Sequence, residues 1–221
     1  MLYGFGDSFT QGCYEDGYVE PYLNHIGKKL NTEVTNRARY GMSFEEITAT
    51  IVKTLPDIKK GDTVIYGGTI IDRIMFPVPY EQVFDYHGTS KDKSLYSISG
   101  FNPSSLEFFF EMFDEQKRKK MGYKYSFNDY AKLIMDYDTL LKIPFSRAYR
   151  KFYDDMFLHW NSYFKSIDVS FYWWRFDWWF QAPEEDRGIC GHWNAKYHKE
   201  FADILGNFIE NNKSGCLDSN I

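Results

Sequence analysis

Met1-Leu2-Tyr3-Gly4-Phe5 runs directly into Gly6-Asp7-Ser8-Phe9-Thr10-Gln11-Gly12. The first five residues read as a short apolar strand, and Gly6-Asp7-Ser8 sets a hydroxyl where that strand ends. A serine there is a candidate nucleophile, although a hydroxyl attacks poorly unless a base and an oxyanion site converge on it. Gly-Asp-Ser by itself also suits a plain turn whose Asp and Ser cap the next helix.

Downstream, Cys13, Glu15, Asp16 and Gly17 read as a loop. Pro21 then opens a helix with Leu23, Ile26 and Leu30 on one face and Lys28 and Lys29 in its last turn. Glu33 to Asn36 is a second short strand, and Arg37 to Met42 is a loop containing Gly41. Ser43 and Glu46 form a capping box ahead of Ile47, Ile51 and Leu55, which share a helical face. After the Gly61-Asp62 turn, Thr63 to Tyr66 is a third strand ending in Gly67-Gly68-Thr69. Strands alternating with amphipathic helices predict an α/β fold with a parallel sheet, helices on both faces, and ligands at the carboxyl ends of the strands. Strand 1 is expected at its centre. Ser8, Asn36, Gly41 and Thr69 all fall at such ends.

Residues 77 to 144 have a different texture. Pro77, Pro79, His87-Gly88 and Ser99-Gly100 suggest an irregular aromatic loop, with turns at Gly12, Gly17 and Gly88 along the chain. Ser104 and Glu107 form a second capping box before a helix of Phe108 to Lys119, and another helix from Asn128 to Leu141 stops before Pro144. This segment reads as a helical, aromatic insertion capping the site within one domain spanning 1–221. From Ser146 to Lys165 a long helix carries Tyr149, Phe152, Tyr153, Met156 and Trp160 on its apolar face. Val169 to Trp174 is the fourth strand, and a loop from Asp177 leads to Gly191-His192-Trp193-Asn194. The last helix starts at Ala195 with Phe201, Ile204, Leu205 and Phe208 inward, and the tail after Asn211 is expected to fray.

Net charge of −5 and a pI near 5.6 argue against a nucleic-acid surface, which needs a concentrated basic face. The basic run Lys117 to Lys120 ends a predicted helix, where cations complement the dipole. Three widely spaced cysteines, Cys13, Cys190 and Cys216, indicate neither a disulfide framework nor a metal site. No leader and no membrane-spanning run are evident, so a cytoplasmic protein without metal or organic cofactor is expected. His192 stands just before the final helix, placed to face Ser8 across the rim; His25, His87, His159 and His198 suit surface or core roles.

In chain order, Gly6-Asp7-Ser8, then Asn36 with Gly41 and Ser43, then Gly67-Gly68-Thr69, then Gly191-His192-Trp193-Asn194 resemble the ordered blocks of the SGNH/GDSL hydrolase family. The resemblance covers residues 1 to 75 and 165 to 210. It implies a flavodoxin-like three-layer α/β/α sandwich and a serine esterase acting on acyl groups, often acetyl, of carbohydrates or lipids. The aromatic-rich composition and the lack of a leader resemble viral SGNH-like proteins, so a phage origin, with a virion-associated location, suits this resemblance.

By this resemblance Ser8 is the nucleophile and His192 the general base. The oxyanion is held by the backbone N–H groups of Ser8 and Gly41, with Thr69 standing where most members carry an Asn donor. The family's acid lies two or three residues before the histidine, but those positions are Cys190 and Ile189. Glu184, Glu185 and Asp186 lie upstream on the same loop, and Asp186, with the shortest reach, is the preferred acid. A carbohydrate ester is the expected substrate. The two departures equally suit an alternative, a binding or structural protein on a degenerate scaffold.

Overall fold

The computed structural model describes residues 1–14, 17–69, 74–77, 95–98, 145–175, 178, 181–188 and 191–217. The chain divides into two compact units, Met1–Thr69 with Lys151–Ile221, and Ile70–Arg150.

In the first unit, β1 (Leu2–Phe5) leads to the one-turn helix α1 (Ser8–Gln11) and a small antiparallel pair, β2 (Cys13–Tyr14) with β3 (Gly17–Tyr18). The pair stands where a loop is expected. Next come α2 (Tyr22–Lys29), β4 (Val34–Asn36), α3 (Phe44–Thr54) and β5 (Thr63–Tyr66). Within the second unit, β6 (Ile74–Pro77) pairs antiparallel with β7 (Leu95–Ile98), a pairing the proline-rich sequence does not announce. The expected helices of residues 108–119 and 128–141, and the expected turn at Gly88, lie outside the described residues. So does the placement of the insertion as a cap.

Helix α4 (Phe145–Ser166) then leads to β8 (Ser170–Trp174), followed by α5 (Ala195–Asn211) and β9 (Gly215–Leu217). The main sheet has five strands in the order β4-β1-β5-β8-β9, all neighbours parallel. This is the α/β arrangement expected. β1 is flanked on both sides, but the middle strand is β5, because the residues expected to fray form an edge strand beside β8. A hydrogen bond from Trp178 Nε1 to the Leu217 carbonyl at 2.9 Å holds that edge, and the Tyr172 hydroxyl donates to the Asn212 carbonyl just before it.

Side chains alternate along a strand, so β8 divides its aromatics by parity. Tyr172 and Trp174 join Leu2, Ile65 and Leu217 in a cluster with Leu23 and Ile26 of α2 and Phe201 and Leu205 of α5. Phe171 and Trp173 instead stack on Phe164 and Phe157 of α4, at 5.2 and 5.6 Å between ring centroids. Phe44 of α3 meets Tyr153 and Phe157 there. Each fully buried aromatic or leucine side chain contributes about 1.5–3 kcal/mol. Tyr153, Phe157 and Phe164 make the α4 stripe, whereas Phe152, expected inward, lies one helical step away and is 59% exposed. Ile204 of α5 is likewise outward, because the buried stripe is Tyr197, Phe201, Leu205 and Ile209.

Among the described residues no helix is long and apolar enough to cross a membrane.

Candidate active site

Ser8 owes its position to crowding at the end of β1. A Cβ on Gly6 would stand 2.2 Å from Thr10 Oγ1, so only glycine lets the first turn of α1 fold back this tightly. Asp7 is the N-cap: its carboxylate accepts the Phe9 N–H at 3.1 Å, and its carbonyl accepts the Gln11 N–H at 2.9 Å. Gly12 ends the turn in the left-handed region, φ 88°, donating to the Ser8 carbonyl at 3.0 Å. The capping reading and the nucleophile reading thus apply to different residues. Asp7 caps, and the Ser8 side chain is left for other work.

That side chain meets His192. Ser8 Oγ and His192 Nε2 are 2.8 Å apart and buried, although 184 positions separate the residues. His192 is carried on a tight reversal between the 3₁₀ turn Glu184–Asp186 and α5. Arg187 bridges Trp193 in antiparallel fashion, the Gly188 N–H donates to the His192 carbonyl at 2.9 Å, and the Gly191 N–H donates to the Gly188 carbonyl at 2.8 Å. Gly191 takes φ 78°, which favours glycine. Next in the chain, Trp193 is fully buried against Phe9, Trp174 and Phe201. The imidazole itself lies 4.9 Å from the buried ring of Phe9 and 5.9 Å from the ring of Tyr40. Tyr40 is 43% exposed, unlike the buried Phe9.

Asp186 does not fill the role expected of it. Its carboxylate accepts Asn194 Nδ2 at 3.0 Å on one oxygen and Lys196 Nζ at 2.8 Å on the other, and no bond to the imidazole exists among the described residues. The hydrogen bond from Lys196, then that from Asn194, holds this carboxyl below the usual carboxylate range. Asn194 and Lys196, both farther along the chain than His192, take both oxygens. Ile189 and Cys190 lie outside the described residues.

On the oxyanion side, the Ser8 N–H starts α1 and donates to no acceptor among the described residues. Gly41 is in the left-handed region, φ 73°, and a Cβ there would meet nothing within 4 Å. Thr69 is buried, but its hydroxyl donates to the Met42 carbonyl at 2.9 Å. That proton is committed to the loop carrying Gly41, so of the two routes by which Thr69 would stand in for an Asn donor, hydroxyl or backbone, this geometry leaves the backbone. Asn36 ties the same loop to α1, donating to the Thr10 carbonyl at 2.9 Å and accepting the Ala38 N–H at 3.0 Å.

Three further residues lie near the site, none of them given a site role by the sequence. Asn194 caps α5, accepting the Tyr197 N–H at 2.9 Å, and an Asn directly before a helix is a recognisable signal for that. Tyr40 carries no signal beyond being aromatic in a glycine-containing loop. His198, expected to be structural, is buried beside Trp193 and coupled electrostatically to His192. Among the described residues no group of His, Cys, Asp or Glu is arranged to hold a metal ion. No protein-family model matches the chain, and no curated protein matches it either.

Proposed function

We propose that the protein is a serine hydrolase of the SGNH type, built as a flavodoxin-like three-layer sandwich, that cleaves an ester through an acyl-enzyme on Ser8. The observation carrying this reading is the 2.8 Å contact between Ser8 Oγ and His192 Nε2 at the carboxyl end of a parallel sheet. His192 in the tautomer protonated on Nδ1 takes the Ser8 proton on Nε2 as Oγ bonds to the ester carbonyl carbon. The oxyanion that forms is received by the Ser8 N–H and the Gly41 N–H. Its collapse breaks the bond to the alcohol oxygen, which leaves with the proton from Nε2. Water then repeats the cycle: His192 takes its proton, its oxygen adds to the acyl carbon, and the acid departs as the proton returns to Ser8 Oγ.

A carbohydrate O-acyl ester, acetyl foremost, is the substrate class favoured. The half-exposed ring of Tyr40 beside His192 supports it, since a flat apolar face suits the C–H face of a sugar ring. The test is hydrolysis of p-nitrophenyl acetate and of acetylated sugars by wild type and Ser8→Ala, with mass spectrometry of the acid-quenched protein. Acyl transfer to the Ser8 peptide in wild type alone is the expected result. Turnover surviving in Ser8→Ala would remove the reading. A binding protein on the same scaffold is the second reading, favoured by the commitment of the Thr69 hydroxyl to Met42 and of the Asp186 carboxylate to Asn194 and Lys196.

A further inference from the structure

We propose that Asp186 is a positioning residue that fixes His192 through Asn194, as the latch of the 186–194 reversal, without touching the imidazole. This deepens the serine-hydrolase reading and rests on it.

His192 has no regular element of its own, and its backbone is set by what clamps the reversal at each end. At the tip the clamps are backbone bonds, Gly188 N–H to the His192 carbonyl and Gly191 N–H to the Gly188 carbonyl. At the open end Asp186 and Asn194 are joined twice. The Asn194 N–H donates to the Asp186 carbonyl at 2.8 Å, and the Asn194 side chain donates to the Asp186 carboxylate at 3.0 Å. Lys196 closes the other carboxylate oxygen at 2.8 Å. Charge-assisted bonds of this kind are stronger than neutral ones, and Asp186 is only 2% exposed beneath them.

Asn194 works with both ends of its amide. Oδ1 caps α5 through the Tyr197 N–H, while Nδ2 binds Asp186. One side chain therefore locks the open end of the reversal to the helix that anchors it. His192 lies two residues before that lock, and a shift of about 1 Å in a base is enough to lose ~10²-fold in rate.

Asn194→Ser separates the two duties, since a serine still caps the helix but has no donor reaching Asp186. The labelling rate constant of Ser8 with a fluorophosphonate should fall about tenfold or more in this variant, and kcat on p-nitrophenyl acetate should fall with KM little changed. Asp186→Ala should do the same, and Asp186→Ala combined with Asn194→Ser should be no slower than the worse single variant, because both remove one contact. Asp186→Asn keeps an acceptor oxygen, so it should retain activity within about tenfold, with the pH profile of kcat/KM unmoved; a carboxylate directly on the imidazole predicts a ~10⁴-fold loss. Amide exchange at Gly188 and Gly191 should quicken in Asn194→Ser, a readout independent of catalysis.

Wild-type labelling speed and wild-type exchange in Asn194→Ser would overturn the latch, as would loss of activity in Asp186→Asn alone. If wild type itself does not label, the hydrolase reading fails. In that case exchange at Gly188 and Gly191 still decides whether Asp186 and Asn194 hold the reversal.

Discussion

Tyr22 donates its backbone N–H to His198 Nδ1 across 3.3 Å, so a side chain of α5 caps the first turn of α2. Pro21, the residue at the N-cap, makes no side-chain cap bond of its own. With Nδ1 accepting, the imidazole proton sits on Nε2, which has no hydrogen-bond partner among the described residues, and the ring lies nearly parallel to that of Tyr22. Burial, reinforced by His25 and His192, pushes the His198 pKa down to about 3.

An acid sensitivity follows. The unfolded chain binds a proton at His198 near pH 6.5, whereas the folded protein resists until about 3. Between these values the unfolded state holds more protons, so stability is full above 6.5 and is lost as pH falls towards 3, at no more than about 1.4 kcal/mol per pH unit. His198→Asn, whose Oδ1 preserves an acceptor for Tyr22, should show a shallower fall of Tm between pH 6.5 and 4. An unchanged slope in that variant would show that His198 is not the group responsible.

Gly67 is a packing requirement of the rim. A Cβ there would come 1.9 Å from Thr10 Oγ1, 3.0 Å from the Tyr22 hydroxyl and 3.1 Å from Trp174 Cζ2. Its φ is ordinary, so the cost of Gly67→Ala is steric alone, about 1–3 kcal/mol. Thr10→Ala in the same chain should recover part of that loss by opening the space. Chemical denaturation of the two single variants and the double variant measures it; strict additivity would contradict the clash.

Thr69→Val deprives the buried Met42 carbonyl of the Thr69 hydroxyl and should cost about 1–3 kcal/mol, while Thr69→Ser keeps the donor and most of the stability. The bond holds the loop bearing Gly41, so the valine variant should also label more slowly at Ser8. Equal thermal stability of the two variants would show that the hydroxyl is not needed there.

How much of this is legible in the sequence depends on how local each cause is. The capping box of Ser43 and Glu46 forms as its spacing predicts, with the Ser43 N–H donating to Glu46 at 3.0 Å and the Glu46 N–H donating back at 3.3 Å. The approach of Ser8 to His192 is legible because parallel strands bring their carboxyl ends to one rim. Asp186 is not, since proximity along the chain favours His192, whereas its carboxylate bonds the more distant Asn194 and Lys196, a choice made by how the chain folds back between them. Gly215–Leu217 is too short to carry a period, and it becomes a strand only because β8 leaves an edge open beside it. Phe152 and Ile204 mark the limit of helical patterning, where a residue one step off the stripe still looks apolar enough to be core.

In the proposed hydrolase Ser8 is a nucleophile activated by His192, and a fluorophosphonate tests this without knowledge of the natural ester. Intact wild-type protein should take up one probe, mapped by peptide mass spectrometry to Ser8, and the labelling should vanish in Ser8→Ala and slow by about 10³-fold or more in His192→Ala. No adduct on Ser8 in folded wild type, or labelling at the same rate without His192, would contradict it.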